Sequence, residues 1–354
     1  MTRIAAVGTA LPPHRYPQRA ITDAFAEIVL GEHADRGVLD RLHGATGVES
    51  RHLALPLEAY ADLDGFSASN DAFIEVGTDL GDAAVRSALA RAGLEPGDVD
   101  LIMSTSVTGV AAPSLDARLV PRLGLRPDVK RVPIFGLGCV AGAAGVARVH
   151  DMLAGDPGAV GVLLSVELCS LTIQRDDASI ANLVGSGLFG DGAAAVVLVG
   201  DERASSLGMT GPTVLATRSR LYPDTERVMG WDIGGSGFRI VLAASVAEVV
   251  EEHLGHDVTA FLGDHGLKID DIGTWVAHPG GPKVLHAMTR TLGLAPDALE
   301  RTWLSLSEVG NLSSASVLHV LGDTLAGPRP HTGSYGVLLA MGPGFCSELV
   351  LLQW

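Results

Sequence analysis

The sequence predicts an α/β layered fold built from two related halves, and three observations support this. Apolar runs without alternation, such as residues 99–107 and 159–167, are typical of fully buried strands. A helical pattern at 140–155 lies next to them, and alternation of strands and helices indicates helices layered on a sheet. A helix ending in glycine, an acidic loop and a strand occur at 89–106 and again at 261–278, which indicates a repeated half.

The remaining elements follow in order along the chain. Apolar runs are predicted as buried strands at 99–107, 159–167, 193–200, 274–278 and 335–342. Helical patterns are predicted as helices at 79–94, 140–155 and 245–266. The pattern becomes polar and irregular near 202–212, so we expect one half at 1–205 and the other at 206–354.

Charge and composition exclude several classes of function. A net charge of −16 leaves no general basic face for the phosphates of a nucleic acid, which is therefore not an expected partner. The 3 cysteines are far apart and form no disulfide framework, which favours a reducing compartment. No run reaches the ~18 apolar residues of a membrane span, and no signal peptide is evident. We expect a cytoplasmic protein without a membrane span, a metal or a bound cofactor.

A cysteine follows a glycine-rich turn at the start of a predicted helix. Cys139 lies in GLGCVAGAAG, after the apolar residues VPIF. The positive end of a helix dipole and free backbone N–H groups stabilise a thiolate, the nucleophilic form of cysteine. A small buried core cysteine is the structural alternative. The strand–turn–helix setting favours the nucleophile.

Two further polar residues lie where ordered segments begin or end. His278 ends an apolar strand and precedes Pro-Gly-Gly-Pro, and loops beside strand ends often carry functional residues. Asn311 precedes an apolar helix, where an N-cap explains it equally well. With Cys139, these residues provide a candidate nucleophile, acid–base group and oxyanion donor.

Two chemistries use this set of cysteine, histidine and asparagine. One is hydrolysis by papain-like enzymes, whose cysteine lies in C-G-[SA]-C-[WY] near the mature N-terminus. The other is carbon–carbon bond formation on thioesters. The context GLGCVAGAAG, deep in an α/β chain, favours bond formation. A thioester hydrolase stays open as an alternative, whereas the complete set of three residues disfavours a non-catalytic binding protein.

The motifs resemble those of type III (chalcone-synthase-like) polyketide synthases. GCVAGAAG, LFGDGAAAVV, AHPGGPKVL, GNLSSASVL and GVLLAMGPGF occur in the family's order and spacing. Priming ketoacyl synthases share the catalytic set and form another alternative, but HPGGP after His278 and LFGDGA around Phe189 favour the polyketide synthases. The resemblance implies a five-layered αβαβα thiolase-like fold of two similar halves, assembled as a homodimer.

The resemblance also implies catalytic roles. Cys139 holds the growing acyl chain, while His278 and Asn311 polarise the extender's thioester carbonyl and stabilise its enolate. Phe189 is implied beside the malonyl carboxylate, where an apolar ring makes the charge costly and favours loss of CO₂. The implied reaction joins malonyl-CoA, or methylmalonyl-CoA, to an acyl-CoA starter by iterative decarboxylative Claisen condensation. Cyclisation then gives a resorcinol, a pyrone or another phenolic product.

A further set of residues is implied in the wall of the substrate chamber. An apolar wall favours an aliphatic starter, because burial contributes about 0.8 kcal/mol per CH₂ group. Trp231 opposes this expectation, since a large ring shortens the chamber and suits a small starter or malonyl-CoA alone. The implied wall residues are Val107, Ala111, Ala112, Cys169, Leu171, Thr172, Trp231 and Ser313.

The implied contacts to CoA are fewer than in plant relatives. Those relatives carry a basic cluster near 47–60, of which only Arg51 is present here. Lys283, Gly280 and Gly281, in the loop after His278, complete the expected CoA contacts. An acyl-carrier protein therefore stays open as a donor of the starter.

Overall fold

The computed structural model describes residues 1–30 and 36–354. The strands in this part of the chain are β1 (Thr2–Ala10), β2 (His14–Pro17), β3 (Ser50–Leu53), β4 (Leu101–Ser106), β5 (Lys130–Phe135), β6 (Val160–Leu168), β7 (Asp191–Gly200), β8 (Thr213–Leu221), β9 (Met229–Gly234), β10 (Gly237–Leu242), β11 (Ile272–Ala277), β12 (Tyr335–Gly342) and β13 (Cys346–Gln353). The α-helices are α1 (Gln18–Phe25), α2 (Arg36–Gly44), α3 (Gly65–Ala92), α4 (Leu115–Leu123), α5 (Ala141–Ala154), α6 (Ile180–Leu188), α7 (Asp201–Ser206), α8 (Val246–Gly263), α9 (Pro282–Leu292), α10 (Glu300–Val309) and α11 (Ser316–Ala326).

Nine strands form one mixed sheet in the order β11-β12-β13-β8-β1-β7-β6-β4-β5. Strands of the first half occupy one side and strands of the second half the other. The halves join where β1 pairs with β8 through Thr2–Val214 and Arg3–Thr213 alone. Each half contains a parallel pairing, β4 with β6 in the first and β11 with β12 in the second. The pairing pattern therefore matches two related units joined at a narrow seam.

Alternating side chains show how helices cover both faces of the strands. In β7, Ala195 and Val197 belong to the apolar cluster formed with α3 and α4, whereas Val196 and Leu198 belong to the cluster with α5 and α11. In β12, Leu338 joins the α5 and α11 cluster, while its neighbours pack with α8 and α9. Because adjacent side chains in a strand point to opposite faces, α5 and α11 form a central layer. Outer helices complete the order αβαβα.

The central layer is closely packed because its helix begins with small residues. A side chain added at Gly142, in the first turn of α5, would lie 2.3 Å from the Ser314 carbonyl oxygen and 2.6 Å from Val317. Only a residue without a Cβ allows this approach. The Ala- and Gly-rich sequence after Cys139 thus brings that helix directly against the segment that follows Asn311.

Most of the predicted elements are confirmed with shifted ends. The runs predicted at 159–167 and 335–342 correspond to β6 and β12, and the pattern at 140–155 corresponds to α5. The helix predicted at 79–94 begins much earlier, at Gly65, and its first turn packs through Phe66 against Phe238 of β10. β8 and β13 lacked a predicted strand; β8 carries several partly exposed polar residues, which breaks the apolar run.

Candidate active site

Cys139 lies between the end of β5 and the start of α5, in a short 3-10 turn (Gly138–Val140). Gly138 has a φ of 58°, in the left-handed region that glycine adopts without strain. A side chain there would also lie 2.6 Å from Pro343. The sequence therefore allows a tight turn that places the cysteine immediately before the central helix.

Burial decides the protonation state of Cys139. Its side chain is 5% exposed, and loss of solvation raises the pKa of the thiol to about 12. The Sγ atom donates to the Ser313 hydroxyl at 3.6 Å, which lowers the pKa but does not offset desolvation. Desolvation therefore acts against the thiolate that the helix start favours, and the thiolate stays a prediction. A neutral thiol needs a base in order to attack.

Asn311 has a fixed amide orientation. Its Oδ1 accepts a hydrogen bond from the Ser313 backbone amide at 2.8 Å and another from the Ser316 hydroxyl at 3.4 Å. Because a backbone N–H only donates, the atom that faces it must be the carbonyl oxygen. The Nδ2 group therefore remains as the donor for an oxygen of a substrate. The capping interpretation is wrong, because the N-cap of α11 is Ala315 and the Asn311 side chain instead orients the turn before that helix.

Ser313 connects Asn311 with Cys139. Its φ is 49°, an uncommon value for a residue with a side chain, and it is 4% exposed. Such backbone conformations concentrate at functional sites, where the surrounding structure holds them in place. The amide of Ser313 binds Asn311 while its hydroxyl accepts from Cys139. This residue was predicted in the chamber wall, and the structure places it between two of the catalytic candidates.

Phe189 pairs with Asn311 through the backbone. It follows α6, and the two residues form an isolated parallel bridge. The Asn311 amide donates to the Leu188 carbonyl at 2.9 Å, and the Gly190 amide donates to the Asn311 carbonyl at 2.9 Å. The Arg51 guanidinium donates through Nη1 to the Phe189 carbonyl. Phe189 is therefore held in place beside the asparagine.

His278 follows β11, and its amide donates to the Leu339 carbonyl of β12 at 3.0 Å. The side chain is 3% exposed, and burial lowers the pKa of its imidazole to about 3. Its Nδ1 has no hydrogen-bond partner among the described residues. A neutral, buried imidazole is able to accept a proton or donate to an oxyanion. The loop after it returns toward the site, since a side chain at Gly281 would lie 3.5 Å from Leu188.

The four motifs thus converge from different elements. Contacts run from Cys139 to Ser313, then to Asn311 and Phe189, and the loop after His278 packs beside the residue that precedes Phe189. The candidate nucleophile, Cys139, belongs to the first half, whereas His278 and Asn311 belong to the second half. The structure thus joins the Cys139 and Asn311 segments through Ser313 and places the loop after His278 next to Leu188.

Glu167 is a functional candidate that sequence analysis did not assign. It is fully buried at the end of β6 and accepts hydrogen bonds from the Ser314 hydroxyl, the Thr108 hydroxyl at 2.9 Å and the Val107 amide at 3.1 Å. Burial raises the pKa of the carboxyl. These bonds join the segment after Asn311 to the predicted wall. The sequence signal for Glu167 was a single carboxylate at the end of an otherwise apolar run, AVGVLLSVE.

The predicted wall residues divide between different cavities. Cys169, Thr172 and Trp231 line a cavity of about 50 Å³ together with Phe189. Leu171 and Thr172 also line a neighbouring cavity of about 190 Å³.

The wall predicted at 107–112 lies elsewhere. Val107 is buried, and its amide is bound to Glu167. Ala111 lines a separate depression of about 150 Å³ with Phe135. Ala112 is exposed at the surface, so the prediction that both alanines line one passage is not met within a single chain.

The predicted CoA contacts have different environments. Lys283 is exposed at the start of α9, Gly280 is half-buried and Gly281 is buried. Arg51 is 2% exposed, and its Nε donates to Gln18 at 3.1 Å. A buried guanidinium that holds Gln18 and the Phe189 carbonyl is not placed to bind a phosphate at the surface. The structure therefore does not support Arg51 as a CoA contact.

Across residues 1–30 and 36–354, no group of three or more His, Cys, Asp or Glu side chains is arranged to hold a metal ion. Within the same ranges, no helix combines the length and apolar composition that a membrane span requires.

Comparison with known proteins identifies the family. Models of the N-terminal and C-terminal domains of chalcone and stilbene synthases match residues 1–202 and 213–354. A 1,3,6,8-tetrahydroxynaphthalene synthase from Streptomyces peucetius subsp. caesius is 59% identical over all of this chain and 93% of its own length. A putative chalcone synthase from Bacillus subtilis is 36% identical over all of this chain and 99% of its own.

The fold comparison agrees. The crystal structure of 1,3,6,8-tetrahydroxynaphthalene synthase from Streptomyces coelicolor A3(2), a bacterial type III polyketide synthase, superposes with a TM-score of 0.93 at 30% identity, covering 99% of both chains. The αβαβα layers and the converging motifs define a condensing enzyme of the thiolase fold. The chain belongs to the chalcone and stilbene synthase family and is a type III polyketide synthase, an acyltransferase. The ketoacyl synthase and hydrolase alternatives are thereby set aside.

Proposed function

We propose that Cys139 is the nucleophile that carries the acyl chain and that His278 and Asn311 activate it and its partner substrate. The neutral imidazole of His278 takes the proton of the Cys139 thiol as sulfur attacks the starter thioester, and CoA leaves as its thiol. Burial of both groups supports this order, because it favours a thiol and a neutral imidazole over an ion pair.

The oriented Asn311 amide is the observation that carries the condensation step. Its Nδ2, together with His278, donates to the thioester oxygen of malonyl-CoA as the carboxylate leaves as CO₂. Charge then develops on that oxygen as an enolate, which pre-oriented donors stabilise. The enolate carbon attacks the thioester on Cys139. Phe189 supports decarboxylation, because an apolar ring beside a carboxylate raises the cost of keeping its charge.

Malonyl-CoA as both starter and extender is the substrate choice that we favour. The relative from Streptomyces peucetius is named for a product with ten ring carbons and oxygen on alternate positions, as head-to-tail joining of two-carbon units gives. The cavity beside Phe189 is about 50 Å³, and Trp231 lines it. A space of that size holds a few water-sized groups and suits short units better than an alkyl chain. An aliphatic starter is therefore the second candidate.

The route for CoA passes near α9 in this proposal. Lys283 is exposed beside the loop of Gly280 and Gly281, where a cation would attract the CoA phosphates. A net charge of −16 makes such a local cation more important, since the overall field repels an anionic substrate. An acyl-carrier protein is the alternative donor of the starter.

A homodimer is the assembly that we propose. β5 ends the sheet order, and edge strands carry backbone groups available for pairing. Phe135 at its end is 48% exposed and Val110 nearby is 42% exposed, and exposed apolar patches often mark interfaces. Sedimentation of wild-type protein and a Phe135→Glu variant tests this: we expect a dimer and a monomer. A wild-type monomer at micromolar concentration contradicts it.

We also propose that the two halves meet between α7 and β8, close to the boundary expected at residue 205. The short helix α7 ends at Ser206 and the first strand of the second half starts at Thr213. Each half then contributes one side of the nine-stranded sheet and one of the two central helices.

Malonyl-CoA labelled at the carboxyl carbon tests the reaction. We expect labelled CO₂ together with an oligoketide phenol identified by mass. Cys139→Ala should abolish the product while slow CO₂ release persists, because His278 and Asn311 remain. Cys346→Ala is the matched control, since it removes a thiol that donates to the Gly342 and Pro343 carbonyls, and it should retain both activities. Product formation by Cys139→Ala, or free acid without elongation in the wild type, contradicts the proposal.

A further inference from the structure

Arg51 has a buried donor group that no described residue satisfies. Its Nη1 binds the Phe189 carbonyl and its Nε binds Gln18, whereas Nη2 is buried without a hydrogen-bond partner in the described part of the chain. The residue is 2% exposed. An unpaired buried donor on a charged group is costly to a folded protein. Such a group is retained where a ligand oxygen completes its hydrogen bonds.

The position of Arg51 indicates which ligand that is. It lines the cavity of about 50 Å³ that Phe189 and Trp231 also line, with Cys169 and Tyr60 among the polar members. Most other lining residues are apolar. A mainly apolar cavity with a few directed polar groups is typical of a small-molecule site.

The nearest carboxylate does not neutralise Arg51. Asp191 accepts from the Ala54 amide at 2.6 Å and from the Ser170 amide at 2.8 Å, and also binds the Ser170 hydroxyl. Within residues 1–30 and 36–354, no ion pair joins it to Arg51. Burial lowers the pKa of Arg51 to about 10, so the guanidinium stays charged at neutral pH. Arg51 is thus a buried cation whose Nη2 amino group has no hydrogen-bond partner among the described residues.

We propose that Arg51 Nη2 binds one ketone or enolate oxygen of the poly-β-keto intermediate, at a single short unit of the chain that enters this cavity beside Phe189. The inference rests on the proposed function and deepens it by assigning a subsite for the extended intermediate. A poly-β-keto chain carries an oxygen on every second carbon, and its enolate form is anionic. A charged hydrogen bond therefore holds it extended and delays its premature cyclisation and release.

Arg51→Met tests the subsite, because it removes the donors and keeps similar bulk. Because the variant also loses the bond to the Phe189 carbonyl, the readout is the ratio of full-length product to released CO₂. We expect this ratio to fall at least ~10-fold while short lactones accumulate. Gln18→Met is the matched control, because it leaves Arg51 Nη2 in place. It removes the hydrogen bond that Gln18 accepts from Arg51 Nε and the one that Gln18 donates to the Gly187 carbonyl at 2.7 Å. Its product distribution should equal that of wild type.

Two outcomes overturn the inference. If Arg51→Met makes products in the wild-type ratio, or if decarboxylation and elongation fall in parallel in both variants, Arg51 only positions Phe189. A wild type that fails to elongate at all rejects the proposed function instead.

A crystal of wild-type protein with a carba(dethia)-CoA β-diketone gives a test that does not depend on the folding of a variant. We expect a ketone oxygen within hydrogen-bond distance of Nη2. A chain that occupies another cavity, with Nη2 bound by water alone, contradicts the subsite.

Discussion

The side-chain oxygen of Asn311 accepts a hydrogen bond from the backbone amide of Ser313 at 2.8 Å, and this bond fixes the orientation of the Asn311 amide group. One residue therefore both shapes the turn and presents a donor. A variant that keeps the side-chain oxygen as acceptor and loses the amide nitrogen as donor tests the two roles separately.

Asn311→Asp is that variant. We expect decarboxylation of malonyl-CoA to fall by ~100-fold or more, because one oxyanion donor is lost and a like charge is added. The melting temperature should change little, since the bond to Ser313 persists. Asn70→Asp is the control, as Asn70 also binds backbone groups but lies elsewhere, next to Val110. If Asn311→Asp decarboxylates malonyl-CoA at the wild-type rate, the proposed donor role of Asn311 is contradicted.

Ser313→Ala tests the protonation of the nucleophile. The hydroxyl lowers the pKa of Cys139, so its removal should raise that pKa further and slow alkylation by iodoacetamide at pH 8. Mass spectrometry of the Cys139 peptide gives the rate, and the half-buried Cys346 in the same sample serves as an internal reference. Equal or faster labelling of Cys139 contradicts the assignment.

Gly142→Ala tests the contact between the central helices. The added methyl group would lie 2.3 Å from the Ser314 carbonyl oxygen, so α5 and the turn after Asn311 must separate. We expect a loss of about 1–3 kcal/mol in the free energy of unfolding, together with a larger loss of activity. Gly155→Ala, at the other end of α5, meets its nearest atom at 3.5 Å and should have little effect. Similar unfolding curves for both variants would oppose this account.

Trp231→Ala tests which residue limits the chain length of the acyl-CoA starter. Trp231 lines the cavity beside Phe189, whereas Ala112 is exposed. We expect Trp231→Ala to accept longer acyl-CoA starters in a mass-based panel, and Ala112→Phe to leave the preference unchanged. The reverse pattern, with long-chain turnover lost in Ala112→Phe, would support an alkyl passage at the surface loop.

Acid stability depends on buried histidines. Burial lowers the pKa of His319 to about 4, so between pH 6.5 and 4 the unfolded chain binds more protons than the folded one. The associated stability is present above pH 6.5 and is lost as the pH falls, by at most about 3 kcal/mol. His319→Gln should flatten this dependence in denaturant titrations at several pH values. His256→Gln, at an exposed position, should leave this dependence unchanged. Equal slopes of the unfolding free energy against pH in the wild type and both variants would contradict the assignment to His319.

The local elements could be predicted from the sequence because their signals are local. Uninterrupted apolar runs identified β6 and β12, and the small residues after Cys139 identified a tightly packed helix. The motifs around Cys139, His278 and Asn311 were recognisable for the same reason. Each depends on a few neighbouring residues and on a turn that only certain residue types allow.

Long-range partners could not be predicted. Arg51 looked like a surface cation in its polar segment, yet the fold buries it against the Phe189 carbonyl. Glu167 looked like the end of a strand, yet it binds residues from two distant segments, at Thr108 and Ser314. Such contacts depend on which segments become neighbours in space.

The sequence by itself thus determined the layered fold, the family and the identity of the candidate nucleophile. Only the tertiary structure decided that Cys139 and His278 are buried, which raises the pKa of the thiol and lowers the pKa of the imidazole, and that Arg51 lines a cavity. The reason is physical: residue type and spacing specify local conformation, whereas charge state and access depend on desolvation by side chains from both halves.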